Sequence, residues 1–199
     1  MSGVPRFIRI PLAFTATLSC AWCVVAAFEN GPPPGHSGAP GQPDCTICHF
    51  GNDANAEGGS VKLDGVPSTY QDGQQYAISV TLEHNVLPIG GFQLAIQDIA
   101  GNPAGKLNAN QDDVKTIIVD GTKQIYVQHS KPRKKRDDDT HIQWTMVWTA
   151  PGGNRDVIIS VAAVAANDDA SALGDYVYTA TARINSSRVD SINEDRQKK

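Results

Sequence analysis

Cysteine is scarce in this chain. Four occur in 199 residues, at 20, 23, 45 and 48, and the first two fall in an apolar leader. A disulfide framework of the kind that staples small secreted domains needs more thiols than the remaining pair supplies. Methionine stands only at 1 and 146, and aromatic residues make up 7% of the chain. Basic side chains do not outnumber acidic ones: 17 Lys and Arg face 21 Asp and Glu, for a formal net charge of −4. That balance disfavours a nucleic-acid partner. No Ser-His-Asp order, Gly-rich phosphate loop or pair of catalytic carboxylates stands out, so the chain is not expected to be an enzyme. Internal repeats and convincing helical periodicity are absent as well. The polar end of the chain carries no apolar run, so no C-terminal membrane anchor is expected.

What is present begins with Arg6 and Arg9 ahead of an uncharged stretch over 10–27 that closes on Val25-Ala26-Ala27. This is the pattern of a secretory signal peptide over 1–27. An uncleaved anchor is the alternative, because the apolar run is just long enough to span a bilayer. Cys20 and Cys23 would leave with the signal. Residues 28–59 are rich in Gly, Pro and small polar residues, which cannot form a helix or a central strand. They read as an extended lead-in draped over the domain. Residues 185–199 read as a polar, disordered tail.

Between them, 60–184 alternates in period two. Tyr76, Ile78, Val80 and Leu82 share one face; so do Phe92, Leu94 and Ile96, and again Ile142, Trp144, Met146 and Trp148. Segments 114–119 and 125–129 read as two strands joined at Asp120-Gly121-Thr122-Lys123. Seven or eight short strands with turns every eight to twelve residues predict an all-β fold. The expected architecture is an immunoglobulin-like antiparallel β-sandwich with an irregular N-terminal segment, to which the resemblance given below adds a reeler-like fold.

That segment carries Cys45-Thr46-Ile47-Cys48-His49. Two thiols separated by two residues, with an imidazole directly after, form the pattern that attaches haem c covalently. Cys45 and Cys48 would add across the two vinyl groups, and His49 would be the proximal ligand. A zinc site would need two further good ligands, and a disulfide between cysteines three apart would close a small strained loop. For the ligand opposite His49, His129 is the first candidate because it ends a strand on the face of Ile125 and Val127. His84 and Met146 are the alternatives, while His36 and His141 read as solvated. A five-coordinate iron open to a small ligand also remains. The basic run 131–136 could dock an acidic partner, although Asp137, Asp138 and Asp139 neutralise much of it. Asp112-Asp113 and Asp168-Asp169 could bind calcium but more simply cap or solvate.

The order of motifs resembles a known family. Gly38-Ala-Pro-Gly41, the Cys-x-x-Cys-His element, Gly90-Gly-Phe-Gln-Leu94, Tyr126-Val-x-His129, Trp148-Thr-Ala-Pro151, Ala165-Ala-Asn167 and Gly174-Asp175 resemble the bacterial choice-of-anchor V family, whose fold is similar to the reeler domain of animal extracellular proteins. The resemblance covers 38–184. It implies an exported β-sandwich, commonly tethered to the cell surface, and it favours His129, since a Tyr-Val-x-His pattern recurs there. The expected function is that of an exported monohaem c-type cytochrome passing electrons between unidentified redox partners, in the periplasm or at the cell surface, with membrane association only through partners. The alternative is a non-redox cell-surface or extracellular binding module of reeler-like fold.

Overall fold

The computed structural model describes residues 28–187. The signal peptide expected over 1–27, with Cys20 and Cys23, and all but the first residues of the expected tail lie outside the described residues. Among the described residues there are eleven strands and one short 3-10 turn. The strands are β1 (Gly59–Asp64), β2 (Thr69–Tyr70), β3 (Gln75–His84), β4 (Ile89–Asp98), β5 (Lys106–Ala109), β6 (Val114–Ile118), β7 (Ile125–His129), β8 (Arg133–Lys134), β9 (His141–Thr149), β10 (Val157–Ala166) and β11 (Tyr176–Ser186).

They form two sheets. The smaller runs β1-β3-β9-β5; the larger runs β2-β11-β10-β4-β7-β6, with β8 paired to the start of β4. All pairings but one are antiparallel, the exception being the two-residue contact of β2 with β11. The expected all-β sandwich is therefore the fold. Strands β3 and β9 lie where period-two alternation placed them, whereas β10 is a Val/Ile/Ala run buried on both faces. The short strands β2, β5 and β8 were not foreseen; two to four residues carry too little alternation to register. The closing strand also runs on to Ser186, past the boundary expected at 184.

The two sheets meet through those apolar faces. Ile78, Val80, Trp144, Met146 and Trp148 from the small sheet meet Phe92, Leu94, Val127, Ile159 and Val161 from the large one. Trp144 and Phe92 pack with ring centroids 4.7 Å apart, and Tyr70 meets Trp148 edge-on at 5.5 Å. The Trp148 indole N–H donates to the Ala104 carbonyl at 2.9 Å, so its burial leaves no unpaired donor. Met146, the alternative iron ligand, is fully buried in this core between the two tryptophans. There the thioether fills space and faces no cavity.

The outer face of the large sheet is not left to water. The N-terminal segment, here called the arm, crosses β4 and β7, and its attachment follows from its prolines. Pro32, Pro33 and Pro34 have no N–H to offer a sheet edge, so the proline run itself can be held only through its carbonyls. Three buried glutamines supply donors. Gln128 donates to the Pro32 carbonyl at 2.9 Å, Gln93 to that of Pro33 at 2.9 Å, and Gln97 to that of Pro40 at 3.4 Å. Gln93 in turn accepts from the His36 backbone N–H at 2.6 Å and donates to Gln128 at 2.7 Å. Lys115 also donates to the Asn30 carbonyl. Ala39 beds against Ala95 and Tyr126 between these bonds.

Two tests follow from this packing. Trp144→Ala should cost about 3–5 kcal/mol, read as a lowered midpoint in urea unfolding. Gln93→Leu keeps the volume but strands a proline carbonyl and an arm N–H in a buried place. It should cost about 1–3 kcal/mol and speed proteolytic cleavage between residues 28 and 44; an unchanged cleavage rate would show that the arm is held by other contacts.

Candidate functional site

Where the arm leaves the sheet, its course opens a cavity of about 140 Å³, part of it open to solvent. Phe28, Pro32, Pro33 and His36 of the arm form one side. Ile89 to Phe92 at the start of β4, His129 at the end of β7, and Val164 and Ala166 at the end of β10 form the floor. Cys45, Cys48, His49 and Asp175 close the far wall. The structure thus brings four residues expected from the sequence, Cys45, Cys48, His49 and His129, to one space.

The wall is built by a local device. Cys45–Ile47 form a single 3-10 turn, capped by Asp44, whose carboxylate accepts from the Thr46 N–H at 2.8 Å and the Thr46 hydroxyl at 2.6 Å. The Cys45 carbonyl accepts from the N–H groups of Cys48 and His49 at 3.2 and 2.9 Å. The chain then pairs with the lead-in to β11: Phe50 donates to the Ala172 carbonyl at 3.0 Å, and its own carbonyl accepts from Gly174 at 2.9 Å. This places His49 beside Asp175, with Nδ1 2.6 Å from Oδ2. Asp175 is 1% exposed. Its other oxygen accepts from the Asn167 N–H at 3.4 Å, and Asn52 donates to its carbonyl at 3.0 Å.

The two cysteines are both free thiols. Cys45 packs among Ala162, Val164 and Val177, and burial pushes its thiol up to about 12, with Asp44 and Cys48 adding to the effect. It is therefore a protonated thiol at neutral pH. Cys48 is half-buried at the cavity wall.

His129 is buried on the cavity floor against Gly91, where a Cβ would stand 2.5 Å from its Cε1; glycine is needed there because the ring lies on the backbone. Its Nδ1 lies 2.9 Å from the Phe92 nitrogen and 3.1 Å from the Phe92 oxygen. Burial is the main cause holding this imidazole below its usual range; the Phe92 backbone works the other way, and nearby Lys115 and His49 add smaller downward pushes. His36, which reads from the sequence as a solvated residue, is placed by the Gln93 contact on the cavity wall. His141 is exposed at the start of β9.

His84 lies away from this cavity. Its Nδ1 accepts from the N–H groups of Val86 and Leu87 at 3.2 and 3.0 Å, closing the turn after β3, and its ring packs 4.8 Å from that of Tyr176. Burial, then Lys135, holds its imidazole below the usual range. The run 131–136 is matched locally: Arg133 pairs with Asp113, Lys134 with Asp168 at 2.7 Å and Arg136 with Asp139 at 2.8 Å, while Lys135 donates to the His84 carbonyl at 2.9 Å. Those carboxylates serve cations and turns. Among the described residues no group of three or more His, Cys, Asp or Glu is placed to hold a metal ion, which answers the zinc and calcium readings.

No family model matches the chain, and no curated protein does. Solved structures do. The human F-spondin reeler domain is similar at 19% identity over 71% of this chain and 98% of that one, with a TM-score of 0.46. The Reelin-N domain of F-spondin is similar at 22% identity over 71% and 94%, with a TM-score of 0.45. A cohesin module from a Clostridium perfringens ATCC13124 family 33 glycoside hydrolase is similar at 9% identity over 66% and 99%, with a TM-score of 0.41.

These findings correct the functional expectation. A monohaem c-type cytochrome carrying electrons between redox partners is not what this chain is: its described residues form an all-β sandwich, and among them no group of three or more His, Cys, Asp or Glu is placed to hold a metal ion. The physical reasons are local. The basic loop, whose simpler reading was a run neutralised by nearby acids, pairs Lys134 with Asp168 and Arg136 with Asp139, Met146 is sealed in the core, and the His84 ring closes a turn. The terms cytochrome, haem protein and electron transfer rested on the five-residue motif, and the rest of the fold does not carry them.

Acid should act through His84. A proton on its Nδ1 would break both turn bonds, so its folded-state affinity for a proton is below that of the unfolded chain. The unfolded state then takes the proton first, and stability present above about pH 6.5 is lost as pH falls through the lowered folded value. His84→Asn should flatten the dependence of the urea midpoint on pH in that window; an equally steep dependence would place the acid sensitivity elsewhere.

Proposed function

We propose that the chain is an exported, non-catalytic binding module of reeler-like fold that takes an apolar ligand into the cavity under its arm. One observation carries this reading: the cavity is lined mostly by apolar groups with a few convergent polar ones, the composition of a ligand site. The surroundings agree with it. Gly91 leaves room for the His129 ring on the floor, and the arm roofs the space without filling it. Export is supported by the leader pattern in the sequence, and no helix among the described residues is long and apolar enough to cross a membrane. Membership of the choice-of-anchor V family is part of the same proposal, supported by the ordered motifs from Gly38 to Asp175.

The occupant proposed on chemical grounds is one covalently bound haem, treated as a held ligand. The residues present fit it. Cys45 and Cys48 would hold its edge as thioethers, each S–H adding across a vinyl group with no change of oxidation state, and His49 would face its centre, with His129 lining the same cavity. When bound, such a group supplies a flat apolar body with one electron-pair acceptor at its middle.

A solvatochromic apolar dye tests the cavity. The wild-type protein should enhance its fluorescence, and Ala166→Trp, which fills the space, should weaken binding by about tenfold or more, the loss of roughly 1.4 kcal/mol or more. Equal enhancement in the variant would move the site elsewhere. The occupant is tested separately by expression with haem-attachment machinery: a haem-stained band on a denaturing gel, lost in Cys45→Ala/Cys48→Ala, is expected, and a colourless protein of unmodified mass would remove haem and leave the cavity as a reversible site.

A further inference from the structure

We propose that Asp175 is the positioning residue of this cavity: it fixes His49 as the Nδ1–H tautomer and thereby presents Nε2 as a ready electron-pair donor. The inference rests on the reading of the cavity as a binding site and names the kind of ligand the site selects. An ionised carboxylate only accepts hydrogen bonds, so the 2.6 Å contact requires that His49 Nδ1 carry the proton. In a neutral imidazole the lone pair then resides on Nε2. Among the described residues Nε2 has no hydrogen-bond partner, and the His49 side chain keeps 20% of its surface accessible at the cavity wall.

Asp175 is itself tightly placed. It is buried, it takes the Asn167 N–H on its second oxygen, and the parallel bridge between Phe50 and Leu173 locks the two chain segments that carry the pair. A buried carboxylate aimed at the outer nitrogen of a histidine is the arrangement that orients an imidazole and raises its basicity toward an electron-pair acceptor. A merely apolar ligand would gain nothing from it. The site therefore favours a planar apolar group with an acceptor at its centre, a metal-centred macrocycle, over the same macrocycle without a metal.

The protein expressed without haem-attachment machinery provides the test. Long-range 15N–1H spectra should show His49 protonated at Nδ1 and bare at Nε2. In Asp175→Leu the tautomer should shift toward Nε2–H, whereas Asp175→Asn, whose amide oxygen can still accept, should keep most of the native form. Ferric protoporphyrin should bind the wild type at least about tenfold more tightly than metal-free protoporphyrin, and Asp175→Leu should lose this preference while still binding the metal-free form. An Nε2–H tautomer in the wild type, or a preference unchanged in Asp175→Leu, overturns the role of Asp175 with the cavity reading intact. Failure of both porphyrins to bind while the apolar dye still binds overturns the ligand class and leaves the cavity, whereas failure of the dye as well overturns the cavity reading.

Discussion

The donation of glutamine side-chain amides to proline carbonyls is the interaction on which the site depends. A polyproline segment has no backbone donors, and a sheet's outer face has no free backbone groups, since these are spent on the ladder. Side chains must bridge the two, and Gln93 and Gln128 do so while also bonding each other at 2.7 Å. A buried amide left half-paired is costly, so the bridge favours one registration of arm on sheet. That registration decides where the arm ends its contact and the cavity begins. It also delivers the following turn, with Cys45 and Cys48, to the end of β10.

The second constraint is the seam between Phe50 and Leu173, which carries the turn to the start of β11. Without it His49 would belong to an unpaired loop. With it, the imidazole is held by Asp175, 126 positions away in sequence. The two constraints act at opposite edges of the same space: one sets the roof, the other sets the chemistry of the wall.

The sandwich was legible because each long strand announces itself by alternation: the run Ile142, Trp144, Met146, Trp148 can hardly be anything else. The arm was legible as an extended lead-in, but its partners were not. Gln93 and Gln97 share a strand face with Gly91 and Ala95, and small or amide residues on an outward face read as solvent-exposed when they are in fact covered. The signal that could have found them was the coincidence of amide side chains with a proline run that lacks donors. Asp175 gave less warning still, because its partner is fixed by a bridge between loops and not by any spacing. The placement of His36 gave as little warning: its backbone N–H is held by Gln93, 57 positions on, while its ring stays partly exposed.

The functional over-reading has a different origin. Cys45 to His49 is a chemically specific pattern, but it speaks only of what five residues can touch. A carrier function depends on the fold around them, on loops free to dock partners and on ligands released from structural work. Here Lys134, Arg136 and the acids facing them are paired at home, Met146 is sealed between tryptophans, and His84 closes a turn. The side chains left available, the two thiols, His49 and His129, face a single cavity with a glycine floor and a proline roof. A space built in that way, from one strand end on each side and an arm that cannot pair with either, is suited to holding a flat group in place, and the buried carboxylate behind His49 gives that group a preferred face.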